Sequence, residues 1–147
     1  MCIRDRTDTH KQLYAAACGF LARREYGQME LRKRLAKKFE EASPRELKEV
    51  LDFLSMKNFQ SDERYAYSLT KSKFNKFYGP AYIKQFAFNK GVDRRLIEKA
   101  LEEFDFGSKC QEFAFKHAHV DRSKLQRKIL QKGYDYSHMI SAVKNLD

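Results

Sequence analysis

The sequence predicts an all-α protein made of three tandem three-helix repeats. Among its 147 residues are only two prolines and six glycines, and apolar and polar residues almost never alternate strictly. Apolar residues recur instead at intervals of three and four, the spacing of one helix face. A short pattern of two apolar residues and a lysine also occurs three times. Repetition of this kind is typical of stacked helical modules.

Amphipathic helices are predicted wherever the apolar stripe is continuous. The stripes lie in residues 13–21, 47–54, 66–77, 96–104, 106–118 and 139–146. At the start of the second stripe, Ser43 and Glu46 have the spacing of a capping box, and Pro44 suits the first helical position. Ser61, followed by Asp62 and Glu63, is a second candidate helix start.

Three short basic helices connect these stripes. Their repeated residues are Leu31, Leu35 and Lys38; Ile83, Ala87 and Lys90; and Leu125, Ile129 and Lys132. A glycine follows the lysine in the second and third copies, and Phe39 takes that place in the first. We therefore predict a frayed leader over residues 1–9, which fits no repeat, and repeats over residues 10–58, 59–105 and 106–147. One such repeat is too small for a robust core, so neighbouring repeats are expected to support one another.

Positive charge is concentrated on and around the short helices. The chain has 30 lysines and arginines against 20 acidic residues, a formal net charge of +10. This excess of positive charge favours an acidic partner, and nucleic acid is the first candidate. The candidate binding residues are Arg23, Arg24, Arg32, Lys33, Arg34 and Lys37 in the first repeat, Lys71, Lys73, Lys76 and Lys84 in the second, and Arg122, Lys124, Arg127 and Lys128 in the third. The alternative is that these side chains simply form a solvated face.

The helices that follow the short helices are mixed or acidic in charge. Glu46, Glu49 and Asp52 lie in one of them, and Glu98, Glu102 and Glu103 in another. A helix that reads base edges in the major groove would instead carry Arg, Asn or Gln. The pattern therefore favours contact with phosphates or an acidic protein surface over sequence readout from duplex DNA.

Aromatic residues accompany the lysines of the second repeat. Tyr78 and Tyr82 could stack on unpaired bases. For Phe74, Phe77 and Phe86, whose spacing is helical, a place in the core is the favoured interpretation.

No pattern in the sequence indicates catalysis, a cofactor or a metal site. There is no Gly-rich phosphate loop and no hydrolase or zinc-protease motif. His117 and His119 are two residues apart and would point to different faces of a helix. Cys110 lies on an apolar face, and the three cysteines form no CxxC pair, which fits a reducing cytoplasm. No apolar run is long enough to span a bilayer.

Several segments, taken in order, resemble the RecX family. They are Leu21-Ala22-Arg23-Arg24-Glu25-Tyr26, Glu30-Leu31-Arg32-Lys33-Arg34-Leu35 with Lys37-Lys38-Phe39, Ser61-Asp62-Glu63-Arg64-Tyr65-Ala66, Gly79-Pro80 with Ile83, Lys90-Gly91-Val92, Leu96-Ile97-Glu98-Lys99-Ala100-Leu101, and Lys132-Gly133-Tyr134 with the closing helix. The resemblance covers about residues 12–146. The departures are the missing glycine before Phe39, the variation at residues 86–88 and the unmatched first nine residues.

The resemblance implies a cytoplasmic, non-enzymatic regulator of bacterial recombination, DNA repair and the SOS response. RecX proteins consist of tandem three-helix repeats in an elongated, curved body. They bind the RecA filament on single-stranded DNA, lie in its helical groove and usually inhibit strand exchange and coprotease activity. Family members also bind DNA directly, so single-stranded DNA, and duplex DNA without sequence preference, are expected partners of a monomer.

Two other functions remain open at the level of sequence. One is an autonomous DNA-binding protein, such as a transcription regulator. The mixed or acidic helices that follow the short helices disfavour this function. The other is a helical-repeat interaction scaffold whose charge only aids solubility.

Overall fold

The computed structural model describes residues 3–147, with side chains from residue 8 onward, and within this range it contains helices and no strand. The helices are α1 (Ile3–Arg23), α2 (Gln28–Lys38), α3 (Pro44–Met56), α4 (Asp62–Asn75), α5 (Pro80–Asn89), α6 (Arg94–Leu101), α7 (Phe106–Lys116), α8 (Arg122–Gln131) and α9 (Tyr136–Lys144). The predicted all-α class is therefore confirmed.

Helix α1 extends into the segment that was predicted as a frayed leader. It begins at Ile3, whereas the leader was placed at residues 1–9. Met1 and Cys2 lie outside the described residues.

Contacts between residues divide the chain into two compact units. The first unit comprises residues up to Tyr65 together with Lys90–Val92, and the second comprises Ala66–Asn89 and Asp93–Asp147. The boundaries predicted for three repeats, at residues 58/59 and 105/106, stay predictions.

In the first unit, α1, α2 and α3 pack against one another. Their core consists of Leu13, Ala17, Tyr26, Leu31, Leu35, Leu47, Val50, Leu51 and Leu54. The predicted capping box at the start of α3 is present. Ser43 Oγ accepts a 3.1 Å hydrogen bond from the Glu46 amide, and Glu46 Oε1 accepts one of 3.0 Å from the Ser43 amide. These bonds satisfy two amide donors that have no partner inside the helix.

In the second unit, α5 packs on α6, and α7, α8 and α9 pack together. Its core consists of Ala66, Leu69, Ile83, Ala87, Ile97, Ala100, Leu101, Phe106, Cys110, Phe113, Ala114, Leu125, Ile129, Tyr134, Met139, Ala142 and Val143. The two apolar residues predicted to repeat in each short helix are fully buried in all three copies. Each short helix thus contributes one apolar pair to the core.

The turns after α5 and α8 use glycine in the left-handed region. Gly91 has a φ of +75° and Gly133 a φ of +96°, a conformation that costs glycine little. A Cβ on Gly91 would collide with Met29 at the start of α2, and a Cβ on Gly133 would come within 2.6 Å of the Tyr82 amide nitrogen in α5. The corresponding turn after α2 has Phe39 at a φ of −121°, so it needs no glycine. The turn after α5 therefore packs against the start of α2, and the turn after α8 packs against the start of α5.

Candidate nucleic-acid interface

Helices α2 and α8 each combine a buried apolar pair with exposed cations. Leu31 and Leu35 are buried in α2, as are Leu125 and Ile129 in α8. The exposed cations are Arg32, Lys33 and Lys37 on α2, and Lys124, Arg127 and Lys128 on α8. Among the described residues, none of these six has a carboxylate within 4.0 Å. Their charge is not neutralised within the protein and is available to an anionic partner.

Four other candidates are equally exposed and unpaired within the described part of the chain. They are Arg23 at the end of α1, Lys71 on α4, Lys76 just after α4, and Lys84 on α5. The last three belong to the second unit. They add charge near the end of α4 and along α5.

The remaining four candidates have partners within the fold. They are Arg24, Arg34, Lys73 and Arg122. Arg34 lies over the ring of Phe20 at 5.3 Å and donates to the Tyr26 hydroxyl at 3.4 Å. Arg122 donates to the Ala118 carbonyl at 3.1 Å. These side chains have structural roles that the sequence did not distinguish from those of the unpaired cations.

Glu30 is the centre of an ion-pair network in the first unit. Arg24 donates to both carboxylate oxygens of Glu30, at 3.1 and 3.0 Å, and the Lys90 ammonium lies 3.5 Å from Oε2. Burial favours the neutral form of Glu30, but the hydrogen bonds and charge of Arg24, with those of Lys90, outweigh it and lower the pKa of this carboxyl. Burial, and then the charge of Glu30, raises the pKa of the neighbouring Tyr65 to about 12. Glu30 therefore holds the turn at Lys90 on the start of α2.

The start of α4 is fastened to the start of α2 by a second polar network. Asp62 Oδ1 accepts hydrogen bonds from the Gln28 amide at 2.8 Å and from Gln60 Nε2 at 2.9 Å. Asp62, within the segment Ser61–Ala66 that resembles the RecX family, therefore has a structural role. Sequence reasoning assigned Asp62 only to the helix start, and no local signal identifies its distant partner.

Arg64, in the same segment, also has a structural role. It donates to Glu25 Oε1 at 3.1 Å and to the Asn58 side-chain oxygen at 2.8 Å and backbone oxygen at 2.9 Å. Asn58 has a φ of +61°, a left-handed conformation that Asn tolerates better than most residues. Arg64 therefore closes the turn between α3 and α4.

An aromatic strip lies in the second unit, formed by Tyr78, Tyr82 and Phe86. The rings of Tyr78 and Tyr82 are stacked, with centroids 4.0 Å apart and an interplanar angle of 17°. The Tyr82 and Phe86 centroids are 6.3 Å apart at 24°. Burial, and then the neighbouring Tyr78 hydroxyl, raises the pKa of Tyr82.

Two lysines lie over the rings of this aromatic strip. Lys73 Nζ is 4.2 Å from the Phe86 centroid, and Lys132 Nζ is 4.3 Å from that of Tyr78. Phe86 is only half-buried, so the expectation that it belongs to the core holds only in part. The aromatic rings of the strip therefore lie in contact with two positively charged ammonium groups.

No metal-binding group of three or more His, Cys, Asp or Glu side chains occurs in the described part of the chain. The expectation for His117 and His119 was wrong in its geometry. Helix α7 ends at Lys116, so these residues are not on a helix, and their rings are stacked with centroids 6.3 Å apart. Burial raises the pKa of the Cys110 thiol to about 11. This thiol is therefore protonated at neutral pH, which is unfavourable for a nucleophile.

Of the helices described, none has the length and apolar character that crossing a lipid bilayer would require.

Known structures have the same fold. A crystal structure of RecX from Lactobacillus salivarius superposes with a TM-score of 0.81 at 22% identity, covering 96% of this chain and 98% of that one. A second structure, of a regulatory protein RecX, superposes with a TM-score of 0.79 at 20% identity. It covers 96% of this chain and 74% of the other.

The fold and the exposed cations define an all-α protein with a basic surface. Residues 61–101 match the model of the second three-helix domain of RecX. The regulatory protein RecX of Pseudomonas entomophila is 33% identical over 128 residues, or 82% of this chain and 81% of that protein. The RecX of Chromobacterium violaceum is 34% identical over 130 residues, 84% of each chain. The chain belongs to the RecX family of regulatory proteins.

Proposed function

We propose that this protein is a non-enzymatic regulator of homologous recombination and DNA repair in the cytoplasm. It binds the RecA–single-stranded DNA filament in its groove as a monomer and inhibits RecA activities. Support comes first from the family, whose relatives are named regulatory proteins. We infer the partner and the mode of binding from the family resemblance together with the charge of the short helices.

The observation that carries the proposal is the unpaired charge on α2 and α8. In both helices the apolar pair is buried. Six exposed cations have no carboxylate within 4.0 Å in the described chain: Arg32, Lys33 and Lys37 on α2, and Lys124, Arg127 and Lys128 on α8. Cations of this kind attract phosphates and release counterions on binding, independently of base sequence. Helix α3, with three acidic residues against two cations, gives no comparable surface for base readout. Helix α6 ends at Leu101, before Glu102 and Glu103, and is itself basic, so the expectation of an acidic third helix does not hold for α6.

The test is a titration of the protein into RecA-driven ATP hydrolysis on single-stranded DNA, alongside binding to bare single- and double-stranded DNA. Inhibition well below the concentration that coats bare DNA supports the proposal. Tight duplex binding without an effect on the filament would point to an autonomous DNA-binding protein. Inactivity in both assays would point to an interaction scaffold, and either of these results would overturn the proposal.

Charge reversal tests the contribution of α2 and α8. The variant Lys33→Glu/Lys37→Glu and the variant Lys124→Glu/Arg127→Glu should each weaken filament binding. A control with the same charge change is Lys11→Glu/Lys144→Glu, because these lysines are exposed but lie outside the clusters. On single-stranded DNA, each lost phosphate contact should lower the slope of log K against log salt by about 0.7. Unchanged binding at low salt by both cluster variants would contradict the role given to these helices.

A further inference from the structure

We propose that the groove between α2 and α3, in the first unit, binds an acidic peptide segment that also carries an apolar side chain. Carboxylates of this segment pair with Arg32, Arg45 and Lys48, and its apolar side chain lies against Met29 and Leu51. The inference rests on the proposed function, because it assigns one surface of this chain to the protein part of the RecA–single-stranded DNA filament.

The groove follows the surface on which α2 and α3 pack together. It has a volume of about 550 Å³. The α3 residues that line it run from Pro44 to Asp52, about 12 Å along the helix axis. Gly91 lines it beside the start of α2. A groove of this length holds about four residues of an extended peptide.

The bottom of the groove is apolar. Leu51 is buried, whereas Met29 is 38% exposed, and both line the groove together with Pro44. Met29 has a flexible thioether side chain that adapts to the shape of an incoming group. Because covering its exposed surface with an apolar group removes that surface from water, such contact favours binding. The floor therefore selects a ligand that has an apolar side chain.

Three cations line the groove above this floor. Arg32 has no carboxylate within 4.0 Å in the described chain. Arg45 pairs with Glu49 at 3.1 Å, and Lys48 pairs with Asp52 at 2.8 Å. Both are solvent-exposed pairs one helical turn apart, and pairs of this kind contribute little to stability. Carboxylates of an incoming segment can therefore take over both cations at small cost.

Two carboxylates in the groove favour a peptide over nucleic acid. Asp62 already accepts hydrogen bonds from the Gln28 amide and the Gln60 side chain. Asp52 is exposed, so it can accept a backbone amide of the segment once Lys48 pairs with an incoming carboxylate. A phosphate backbone has no N–H group to donate, and both carboxylates repel it. A peptide supplies carboxylates, amides and an apolar side chain together.

Helix α8 has a different composition. Its exposed cations Lys124, Arg127 and Lys128 have no carboxylate within 4.0 Å in the part of the chain that the structure describes. Such a surface suits a run of phosphates. The groove instead combines cations, acceptors and apolar surface, as protein–protein interfaces do. We therefore assign α8 to the DNA and the groove to the protein of the filament.

The first test compares binding to RecA filaments on single-stranded DNA with binding to the same DNA without RecA, by fluorescence anisotropy of the labelled protein at low salt. Arg45→Glu/Lys48→Glu sets like charges against the acidic segment, so it should weaken filament binding about tenfold. Its binding to bare DNA should equal that of Lys11→Glu/Lys144→Glu, which has the same change in charge outside the groove. Equal losses on the filament and on bare DNA would show that the groove takes phosphates. Filament affinity equal to that of the control would show that no segment binds there, and either result overturns the inference.

A neutral variant separates lost attraction from added repulsion. The side chains of Arg45 and Lys48 are 82% and 75% exposed, so their replacement should leave the fold intact, which circular dichroism checks. Arg45→Gln/Lys48→Gln removes both charges without reversing them and should weaken filament binding about threefold. A loss confined to the glutamate variant would reflect repulsion alone and would overturn the pairing of these cations with carboxylates.

A photo-cross-link identifies the occupant without relying on affinity. Asp52 lines the groove and its side chain is 57% exposed, so Asp52→p-benzoylphenylalanine places a reactive group at the edge of the groove. On the filament it should cross-link to a RecA segment with more acidic than basic residues, which mass spectrometry identifies. The same substitution at Tyr136, an exposed residue on α9, is the control and should not label that segment. Cross-linking to DNA, to a basic segment of RecA or to nothing would contradict the assignment.

Inhibition of RecA by the unmodified protein separates this inference from the proposed function. If the unmodified protein inhibits RecA but Arg45→Glu/Lys48→Glu binds the filament as tightly as the control, the groove fails and the proposed function stands. If the unmodified protein neither binds the filament nor inhibits RecA, both fail. If it inhibits RecA and the groove variant loses the filament but keeps bare DNA, both are supported.

Discussion

The backbone amide of Gly79 donates a 2.7 Å hydrogen bond to the carbonyl oxygen of Lys132. The amide of Ala81 donates a second bond, of 3.0 Å, to the carbonyl oxygen of Gly133. A Cβ on Gly79 would overlap the backbone of Gly133 and Tyr134. The approach of these two chain segments therefore requires a residue without a side chain at position 79.

Gly79→Ala should destabilise the protein by about 1–3 kcal/mol, the usual cost of overpacking, because backbone atoms cannot move aside as a side chain can. Urea unfolding followed by circular dichroism measures the change. Gly19→Ala is the matched control, because Gly19 lies in α1 and a Cβ added there would meet nothing within 4 Å. There alanine should stabilise the helix by about 0.5–1 kcal/mol. Similar effects of the two substitutions would contradict the close approach at Gly79.

Glu30→Gln should lower the free energy of unfolding by about 1–3 kcal/mol at neutral pH, because the charge-assisted hydrogen bonds to Arg24 are lost. Glu40→Gln is the control, since Glu40 is exposed and has no cation within 4.0 Å in the described chain. Chemical denaturation of both variants measures the difference. A Glu30→Gln variant as stable as the control would show that the network contributes nothing.

The same network predicts a dependence of stability on pH. Because the folded-state pKa of Glu30 is lowered, its contribution is complete above the unfolded-state value of about 4.3 and is lost as the pH falls through the lower folded-state value. The difference in stability between wild type and Glu30→Gln should therefore shrink as the solution is acidified below that point. A difference that stayed constant down to the acid transition would argue against an ionised, paired Glu30.

Ser43→Ala should cost about 1 kcal/mol, because the Glu46 amide loses the hydroxyl that caps α3. Thermal unfolding can detect a loss of this size. Ser55 lies on the same helix and is exposed, so Ser55→Ala should have little effect or stabilise slightly, since alanine is the better helix former. If Ser55→Ala were as costly as Ser43→Ala, the capping box would not explain the loss.

Cys110 should resist thiol reagents in the folded protein. Its side chain is fully buried, and burial raises its pKa to about 11, so little thiolate forms near pH 8. In a Cys2→Ser/Cys18→Ser variant, a disulfide reagent should label Cys110 rapidly only in urea. The partly exposed Cys18, left alone in a Cys2→Ser/Cys110→Ser variant, should react faster under native conditions. Rapid native labelling of Cys110 would contradict its burial.

Local patterns predicted the helices well because their causes are local. The spacing of Leu31 and Leu35 indicated a buried pair, and both side chains are fully buried. Ser43 and Glu46 form the expected capping box. The residues of each pair are at most four positions apart, so a local pattern is enough to identify them, although Leu31 and Leu35 are buried by packing against α1 and α3.

The candidate site was predicted less completely because charge alone does not identify a partner. Arg24 and Arg32 are both exposed basic residues near α2, yet Arg24 pairs with Glu30 and Arg32 has no acidic partner in the described chain. From the sequence, Lys90 was identified only as the lysine of a repeated pattern, but its contact with Glu30 joins residues far apart in sequence. Contacts of this range depend on the packing of helices and have no local signature.

The assignment of Lys90–Val92 to the first unit has a consequence for dissecting the protein. The chain passes between the two units at residues 65/66, 89/90 and 92/93, so no single cut separates them. A fragment ending at Tyr65 would lose the Lys90 ammonium from Glu30 and leave Met29 without the glycine turn that rests on it. Neither unit could therefore be deleted, or replaced by the corresponding unit of a relative, without damage to the other.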